Sequence, residues 1–280
     1  MTAVATANDV LRDAIPTLRE AGIQDPARDA RLLLSHAMQI LPDRLTLYLH
    51  DPLSATAATQ FSTMIAARLT HQPIAQIIGY RMFWGRKFQV TKDVLDPRPE
   101  TEILIAEALK TPADTILDLG TGTGIILLTL LSEWPNAIGM GTDISPAALA
   151  VAQTNAQALN LAPRATLTQS NWFDAIPNRY DLITSNPPYI AAHEMQHLSA
   201  DVLNHEPHIA LTPGGDGLDA YRAIAAGAAA RLNPKGRLIV EIGPTQGVAV
   251  CALFADAGLF APNITKDFDG RDRVVTASHP

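Results

Sequence analysis

The sequence predicts an α/β protein: a doubly wound, mostly parallel sheet, preceded by a small helical domain and a linking β-hairpin. Three observations predict it. From Thr115 to Ala257, apolar strand-like runs alternate with helix-like segments, the pattern that lays helices over a parallel sheet. Residues 6–72 instead carry apolar side chains at helical spacing with short connections, as in a small bundle. Between these regions, residues 74–92 are rich in β-forming residues around Trp84-Gly85.

In chain order, Thr6 or Asn8 caps a first helix in which Val10, Leu11, Ile15 and Leu18 recur at helical spacing. Pro26 opens a second helix through Met38 that carries Leu32, Leu33 and Leu34. Pro42 starts a short third, and Pro52-Leu53-Ser54 precedes a fourth that ends near Leu69. The hairpin is expected from Gln76-Ile77-Ile78-Gly79-Tyr80 and Arg86-Lys87-Phe88-Gln89-Val90, with Phe83 and Trp84 at its tip serving packing rather than, as the alternative, docking a partner. Leu95 to Glu100 holds two prolines, so a helix can begin only after Pro99, and Arg98, Glu100 and Glu102 are placed either to cap it or to support a cofactor site. The domain boundaries expected are 1–73, 74–95 and 96–280.

The sheet strands are Thr115–Leu119, Ala137–Thr142, Ala165–Gln169, Asp181–Ser185 and Gly236–Glu241, closed by an antiparallel pair, Asn263–Asp267 and Arg273–Ala277. Helices follow the first strand through Leu131 and span Pro146–Leu159, Ala220–Leu232 and Thr245–Ala257. Residues 191–217 form a long stretch without period, the kind of loop that is often functional.

Composition narrows the class. Hydrophobic residues make up 47% of 280, enough for a core, and no apolar run reaches the length of a membrane span. The first residues lack the basic start and apolar stretch of a signal peptide. A single cysteine, Cys251, on a predicted helix, excludes an intrachain disulfide and suits a reducing, cytoplasmic setting. Net charge is +2 over residues 1–95 and −9 over residues 96–280. That acidic body argues against salt-driven binding to a nucleic-acid backbone.

The strongest chemical signal is Asp118-Leu119-Gly120-Thr121-Gly122-Thr123-Gly124, where a buried strand runs into alternate glycines and a helix. Such glycines let the backbone turn sharply and let a ligand approach without meeting a Cβ. The spacing is Gly-x-Gly-x-Gly, not the Gly-x-Gly-x-x-Gly that seats a pyrophosphate on a helix N-terminus, so a nicotinamide dehydrogenase is disfavoured. The next strand runs out at Asp143, nineteen residues after Gly124, where an acid can accept both hydroxyls of a ribose. The strand after that ends near Ser170-Asn171-Trp172-Phe173, with an aromatic to stack on adenine. A nucleoside grip without a pyrophosphate grip points to S-adenosyl-L-methionine.

A second loop, Asn186-Pro187-Pro188-Tyr189, ends the fourth strand, at the edge where this architecture places ligands. Two prolines remove backbone donors and leave carbonyls free, Asn186 adds a side-chain acceptor, and Tyr189 offers a flat face. Two acceptors can hold both hydrogens of a planar –NH2 and aim the nitrogen lone pair at a sulfonium methyl, so placement supplies the rate. By itself this loop leaves the acceptor open between a base and an amide.

These residues resemble a class I amino-methyltransferase. With Pro97-Arg98-Pro99-Glu100-Thr101-Glu102, Asn204-His205-Glu206-Pro207, Ala210-Leu211, Gly270 and Arg273, they resemble the HemK/PrmC family, glutamine N5-methyltransferases of peptide chain release factors. The resemblance covers almost the whole chain. It implies methylation of the glutamine in the Gly-Gly-Gln loop of release factors 1 and 2, with the helical domain gripping the protein partner. It implies that Gly120, Thr121, Gly122, Thr123 and Gly124 hold the methionine part of S-adenosyl-L-methionine, Asp143 the ribose and Trp172 the adenine side. Asn186 then contacts cofactor and glutamine, and Pro187, Pro188 and Tyr189 clamp the substrate. Asn171 departs from the aspartate usual before the Trp-Phe pair, and Asp96 stands where the family is more often apolar.

Three other functions share part of this pattern. A ribosomal-protein glutamine methyltransferase shares the chemistry. An adenine N6-methyltransferase shares the loop but not the acidic charge. A binding protein with a vestigial pocket fits poorly with intact motifs. His193, His197, His205 and His208 lack a supporting carboxylate pattern, so no metal is expected. Glu206 is read as equally structural or substrate-facing, and Glu241 is left outside the catalytic set.

Overall fold

The computed structural model describes residues 5–280. They form two compact units, one comprising the described residues up to Gly79 together with Ser199–His205, the other Tyr80–Leu198 and Glu206–Pro280.

The first unit is helical. Helix α1 (Ala7–Glu20) is capped by Thr6, whose hydroxyl accepts from the Asp9 N–H at 3.2 Å while the Asp9 carboxylate accepts from the Thr6 N–H at 3.0 Å. Helix α2 (Pro26–Ala37) starts on a proline behind Asp25, and α3 (Ala55–Leu69) behind Ser54. The segment Pro42–Tyr48 between them winds as a 3-10 helix. The apolar stripes of the three α-helices meet in one core around Leu11, Leu18, Leu33, Leu34, Leu45 and Phe61.

One expectation fails here. Gln76–Gly79 are not a strand: Ile74–Ile78 form a short helix, α4. The isoleucine-rich run reads as β on propensity, but Pro73 precedes it and Gly79 ends it in the left-handed conformation, φ 83°. Those are helix start and stop signals, and burying Ile74, Ile77 and Ile78 against the helical core outweighs their β preference. The hairpin therefore consists of β1 (Tyr80–Phe83) and β2 (Arg86–Gln89), turning at Trp84-Gly85.

The second unit is the expected α/β sheet. Its strands are β3 (Thr115–Leu119), β4 (Ile138–Asp143), β5 (Ala165–Gln169), β6 (Tyr180–Ser185), β7 (Leu232–Glu241), β8 (Phe260–Lys266) and β9 (Asp272–Ser278). They lie in the order β5-β4-β3-β6-β7-β9-β8. The first five run parallel, while β9 is antiparallel to both its neighbours. Helices α5 (Thr101–Leu109), α6 (Ile125–Glu133) and α7 (Pro146–Ala158) cover one face, and α9 (Asp219–Arg231) and α10 (Gly247–Asp256) the other. Side-chain alternation divides the strands between two cores: Ile116, Leu182, Ile239 and Val274 face one, Leu117, Ile183, Val240 and Val275 the other. Helix α6 is apolar nearly all round because it is buried from Ile125 to Leu131.

The chain leaves β3 toward β4 and β5, then returns to β6 on the other side of β3. This switch point opens a crevice at the carboxyl ends of the two strands. Among the described residues no helix is long and apolar enough to cross a membrane. The 191–217 stretch holds a short helix, α8 (Ala200–His205), and 3-10 turns at Met195–His197 and His208–Ala210.

Candidate active site

A cavity of about 430 Å³ lies over the switch point. Of the residues singled out in the sequence, Gly120, Thr121, Gly122, Thr123, Asp143, Trp172, Asn186 and Pro188 line it. Gly124, Pro187 and Tyr189 do not. Further parts of the wall include Leu95, Pro97 and Thr101 before and at the start of α5, Ile144, Ser170 and Asn171, Pro207, Ile209, Ala210, Thr212 and Pro213, and the carboxylates Asp93 and Asp219.

The glycine loop is held by carboxylates at its base. Asp118, on β3 and buried, accepts from the Thr121 hydroxyl at 2.6 Å and the Thr184 hydroxyl at 2.8 Å. Burial pushes its carboxyl up to about 6, against the pull of those two donors. Asp143 accepts the Gly122 N–H and the Ser145 N–H, both at 2.9 Å, one on each oxygen. Each oxygen keeps acceptor capacity for a hydroxyl from the cavity. Burial raises the Asp143 carboxyl as well, and the backbone donors from Ser145 and Gly122 oppose it. Gly120 and Gly122 have φ of 66° and 53°, and a Cβ on either would meet nothing within 4 Å. Their glycine is required by backbone conformation, and the space beside them is left open. Gly124 differs: a Cβ there would stand 2.9 Å from Leu128 and 3.3 Å from Ala152, so it serves the packing of α6 on α7.

Asn155 of α7, which sequence reading passed over, clamps this loop from behind. Its buried amide donates to the Thr123 carbonyl at 2.9 Å and to the Gln89 carbonyl at 3.2 Å, and accepts from the Gln89 N–H at 2.7 Å. The hairpin is thus tied to the glycine loop through one side chain. The signal for it, a polar residue on the buried stripe of a helix, is visible in the sequence only once that stripe is known.

The second loop is held by side chains. The Ser185 hydroxyl donates to the Leu119 carbonyl at 2.8 Å, stitching the ends of β6 and β3 together. Asn186 donates from Nδ2 to the Thr101 hydroxyl at 3.3 Å. Thr101 donates to Oε2 of Glu241 at 2.7 Å, and Tyr189 reaches the other oxygen of Glu241 at 3.5 Å. Glu241 is buried at the end of β7, and burial pushes its carboxyl up to about 7. Tyr189 packs on the α9–α10 core with its hydroxyl inward, and burial raises that phenol. Its carbonyl accepts from Gln246 at 2.8 Å, and the other end of the Gln246 amide accepts from the Gly243 N–H at 3.0 Å. Arg273, buried on β9 and paired with Asp267 at 3.2 Å, draws the Glu241 carboxyl down.

The motifs ahead of the glycine loop have partners too. Arg98 pairs with Glu206, its Nη2 lying 2.7 and 2.9 Å from the two carboxylate oxygens. Neither residue caps α5, whose N-cap, Glu100, makes no side-chain cap. Glu102 accepts from the Trp84 N–H at 3.0 Å at the hairpin tip, where Phe83 is buried in the core. Asp96, without a role in the sequence reading, is buried and pairs with Arg81 through two hydrogen bonds. His205 Nε2 sits 2.7 Å from the Thr70 carbonyl. Cys251 is half-buried on α10, and burial raises its thiol.

Comparisons place this geometry among known proteins. Residues 9–79 match a model described as PrmC N-terminal domain, and residues 91–218 one described as methyltransferase small domain. The fold is shared with a methyltransferase from Pyrococcus furiosus, at TM-score 0.55 and 16% identity, over 78% of this chain and 98% of that one. It is also shared with the 16S rRNA N2 G1207 methyltransferase of T. thermophilus, solved with AdoMet and guanosine, at TM-score 0.52 and 21% identity over 72% of this chain and 50% of that one. A release factor glutamine methyltransferase of Cereibacter sphaeroides is 60% identical over 98% of this chain and 99% of its own length. One from Caulobacter vibrioides is 42% identical over 92% and 91%. A bifunctional methyltransferase of Rickettsia typhi is 37% identical over 96% of this chain but 56% of its own. With such identity sustained from the helical unit through the last strand, the chain belongs to the release factor glutamine methyltransferase family.

Proposed function

We propose that this protein transfers a methyl group from S-adenosyl-L-methionine to the side-chain amide nitrogen of the glutamine in the Gly-Gly-Gln motif of peptide chain release factors 1 and 2. It does so in the cytoplasm, without binding nucleic acid directly, and residues 1–73 serve recognition of the protein partner. The observation that carries the reading is the shared cavity. One wall is the glycine loop with Asp143, and another is Asn186 with Pro188.

The residues fit the cofactor. The open space beside Gly120 and Gly122 admits the methionine part, the two Asp143 oxygens suit a vicinal diol, and Ile144 and Trp172 supply apolar surface for adenine. The cavity volume lies in the range of small-molecule sites. When bound, S-adenosyl-L-methionine supplies a methyl on an activated sulfonium. Asn186 Oδ1 and the Pro187 carbonyl accept the two amide hydrogens and direct the nitrogen lone pair along the line of transfer. Pro188, which lines the cavity, holds the planar amide in place, and Tyr189 supports the loop from the core behind it. With the cofactor bound, its S–C bond would break as the N–C bond formed, and one amide proton would be released to solvent. An amide is a weak nucleophile, so alignment of its lone pair with the methyl is the main source of rate.

The test offers labelled S-adenosyl-L-methionine with release factor, ribosomal protein and nucleic acid in parallel. Label is expected on the release factor and lost when its Gly-Gly-Gln glutamine is replaced. Label confined to nucleic acid would overturn the proposal.

A further inference from the structure

We propose that Glu241 and Thr101 form a directional hydrogen-bond relay that fixes which end of the Asn186 amide faces the cavity, making both of them positioning residues. The inference rests on the proposed amide acceptor.

An asparagine amide presents a donor at one end and an acceptor at the other, and only the acceptor end can hold a substrate N–H. Rotating the amide by half a turn would present –NH2 to –NH2 and repel the substrate. Shape alone barely distinguishes the two orientations, so a neighbouring group must. An ionised Glu241 only accepts, so the Thr101 hydroxyl, 2.7 Å away, must give it its single proton. The Thr101 oxygen is then left with lone pairs alone on its remaining side. Asn186, 3.3 Å away, must therefore offer Nδ2 to Thr101. Its Oδ1 is left for the substrate. Polarity set by a buried carboxylate thus passes through one hydroxyl to the amide. Thr101 reaches the site as the second residue after Pro99, at the first turn of α5, and Glu241 from the end of β7. Glu241 is buried, and Thr101 is buried except where it meets the cavity, so the bond between them is a protein–protein one.

A proton on Glu241 would abolish this polarity, because the carboxyl could then donate to Thr101. The groups that bear on Glu241 are the Thr101 hydroxyl and Glu100 at the start of α5, Arg273 on β9, and the Tyr189 hydroxyl. Thr101, Arg273 and Tyr189 favour the ionised form, while burial and Glu100 oppose it, leaving the carboxyl at about 7. Tyr221 of α9 donates to the Glu241 main-chain carbonyl at 3.0 Å and lies 3.4 Å from Gln246 Oε1, and burial, together with the Glu241 charge, raises its phenol.

The test measures kcat, KM for release factor and Kd for S-adenosyl-L-methionine in the wild type, Thr101→Val, Thr101→Ser and Glu241→Gln. Thr101→Val keeps the volume and loses the relay, so kcat is expected to fall on the order of tenfold with KM and Kd little changed. Thr101→Ser is expected to recover most of the turnover. Wild-type kcat is expected to fall as pH drops below about 7, and the Glu241→Gln profile to lose that step. Equal loss in the Ser and Val variants, wild-type kcat in Thr101→Val, or an unchanged pH step in Glu241→Gln would each overturn the relay. Should Thr101→Val fail to bind S-adenosyl-L-methionine, Glu241→Gln decides the matter through its pH profile. A wild type that leaves the release factor unlabelled overturns the substrate reading instead, and does so before any variant is measured.

Discussion

The loop after β3 and the loop after β6 face one cavity from adjacent strands, yet they are held in different ways. Gly120–Gly124 present backbone: glycines at positive φ, with no side chain projecting into the open space beside Gly120 and Gly122. Of the groups that hold this loop, Asp118 lies just before it in sequence, while Asp143 on the next strand and Asn155 on α7 come from within the same β–α–β–α unit. Asn186–Tyr189 present side chains and carbonyls, held by Thr101, Glu241 and Gln246 from α5, β7 and the turn before α10. A common cofactor can be met by a local backbone motif. A neutral amide has to be oriented, and orientation requires polar groups converging from several elements.

The largest expected break in this comparison is Asn186→Ala. It removes the oriented acceptor, and kcat is expected to drop about 100-fold or more, while S-adenosyl-L-methionine affinity measured by calorimetry changes far less. Normal turnover would show that nitrogen placement does not depend on this side chain. Asp143→Ala should do the reverse. It deletes a carboxylate that faces the cavity and anchors Gly122, so cofactor affinity is expected to weaken about 10- to 100-fold. If the loss falls on kcat at saturating cofactor instead, the division of labour between the loops is wrong.

Asp118→Asn sharpens the comparison through pH. The folded chain holds the Asp118 proton to about pH 6, well above the ordinary aspartate value of about 3.8. A group whose folded pKa is raised favours folding below its unfolded value, and that contribution is lost as pH climbs through the folded one. Between about pH 4 and 6 the wild type is therefore expected to lose stability from this residue, and the uncharged variant to lose less. Urea titrations across that range check it, and parallel slopes for the two proteins would refute it. The smallest effect belongs to Tyr189→Phe. The hydroxyl lies 3.5 Å from Glu241, at the limit of a hydrogen bond, so turnover is expected to change by about twofold. A large loss would move the phenol into the catalytic machinery.

Legibility followed the range of the forces involved. Strand β3 stands where the apolar run placed it, because a buried parallel strand is a continuous apolar segment bounded by turns. Ile74–Ile78 misled, because three isoleucines carry a β preference that burial against the helical core overrides. Asp96 had no sequence reading because its meaning is Arg81, fifteen residues away on a hairpin strand. Arg98 and Glu206 stood out in two separate motifs, and only folding showed that they are partners.

The sequence by itself determined the alternation of strands and helices, the glycine turn at Gly120–Gly124, the acid at the end of β4 and the Asn-Pro-Pro-Tyr loop. Each of these is written in neighbouring residues, as periodicity, backbone freedom or a missing backbone donor. Only the tertiary structure decided that Asn155 clamps the glycine loop to the hairpin, that Tyr189 turns its hydroxyl inward, and that Thr101 and Glu241 stand beneath Asn186. A hydrogen bond's partner and direction depend on distance in space, and 140 residues of chain separate Thr101 from Glu241.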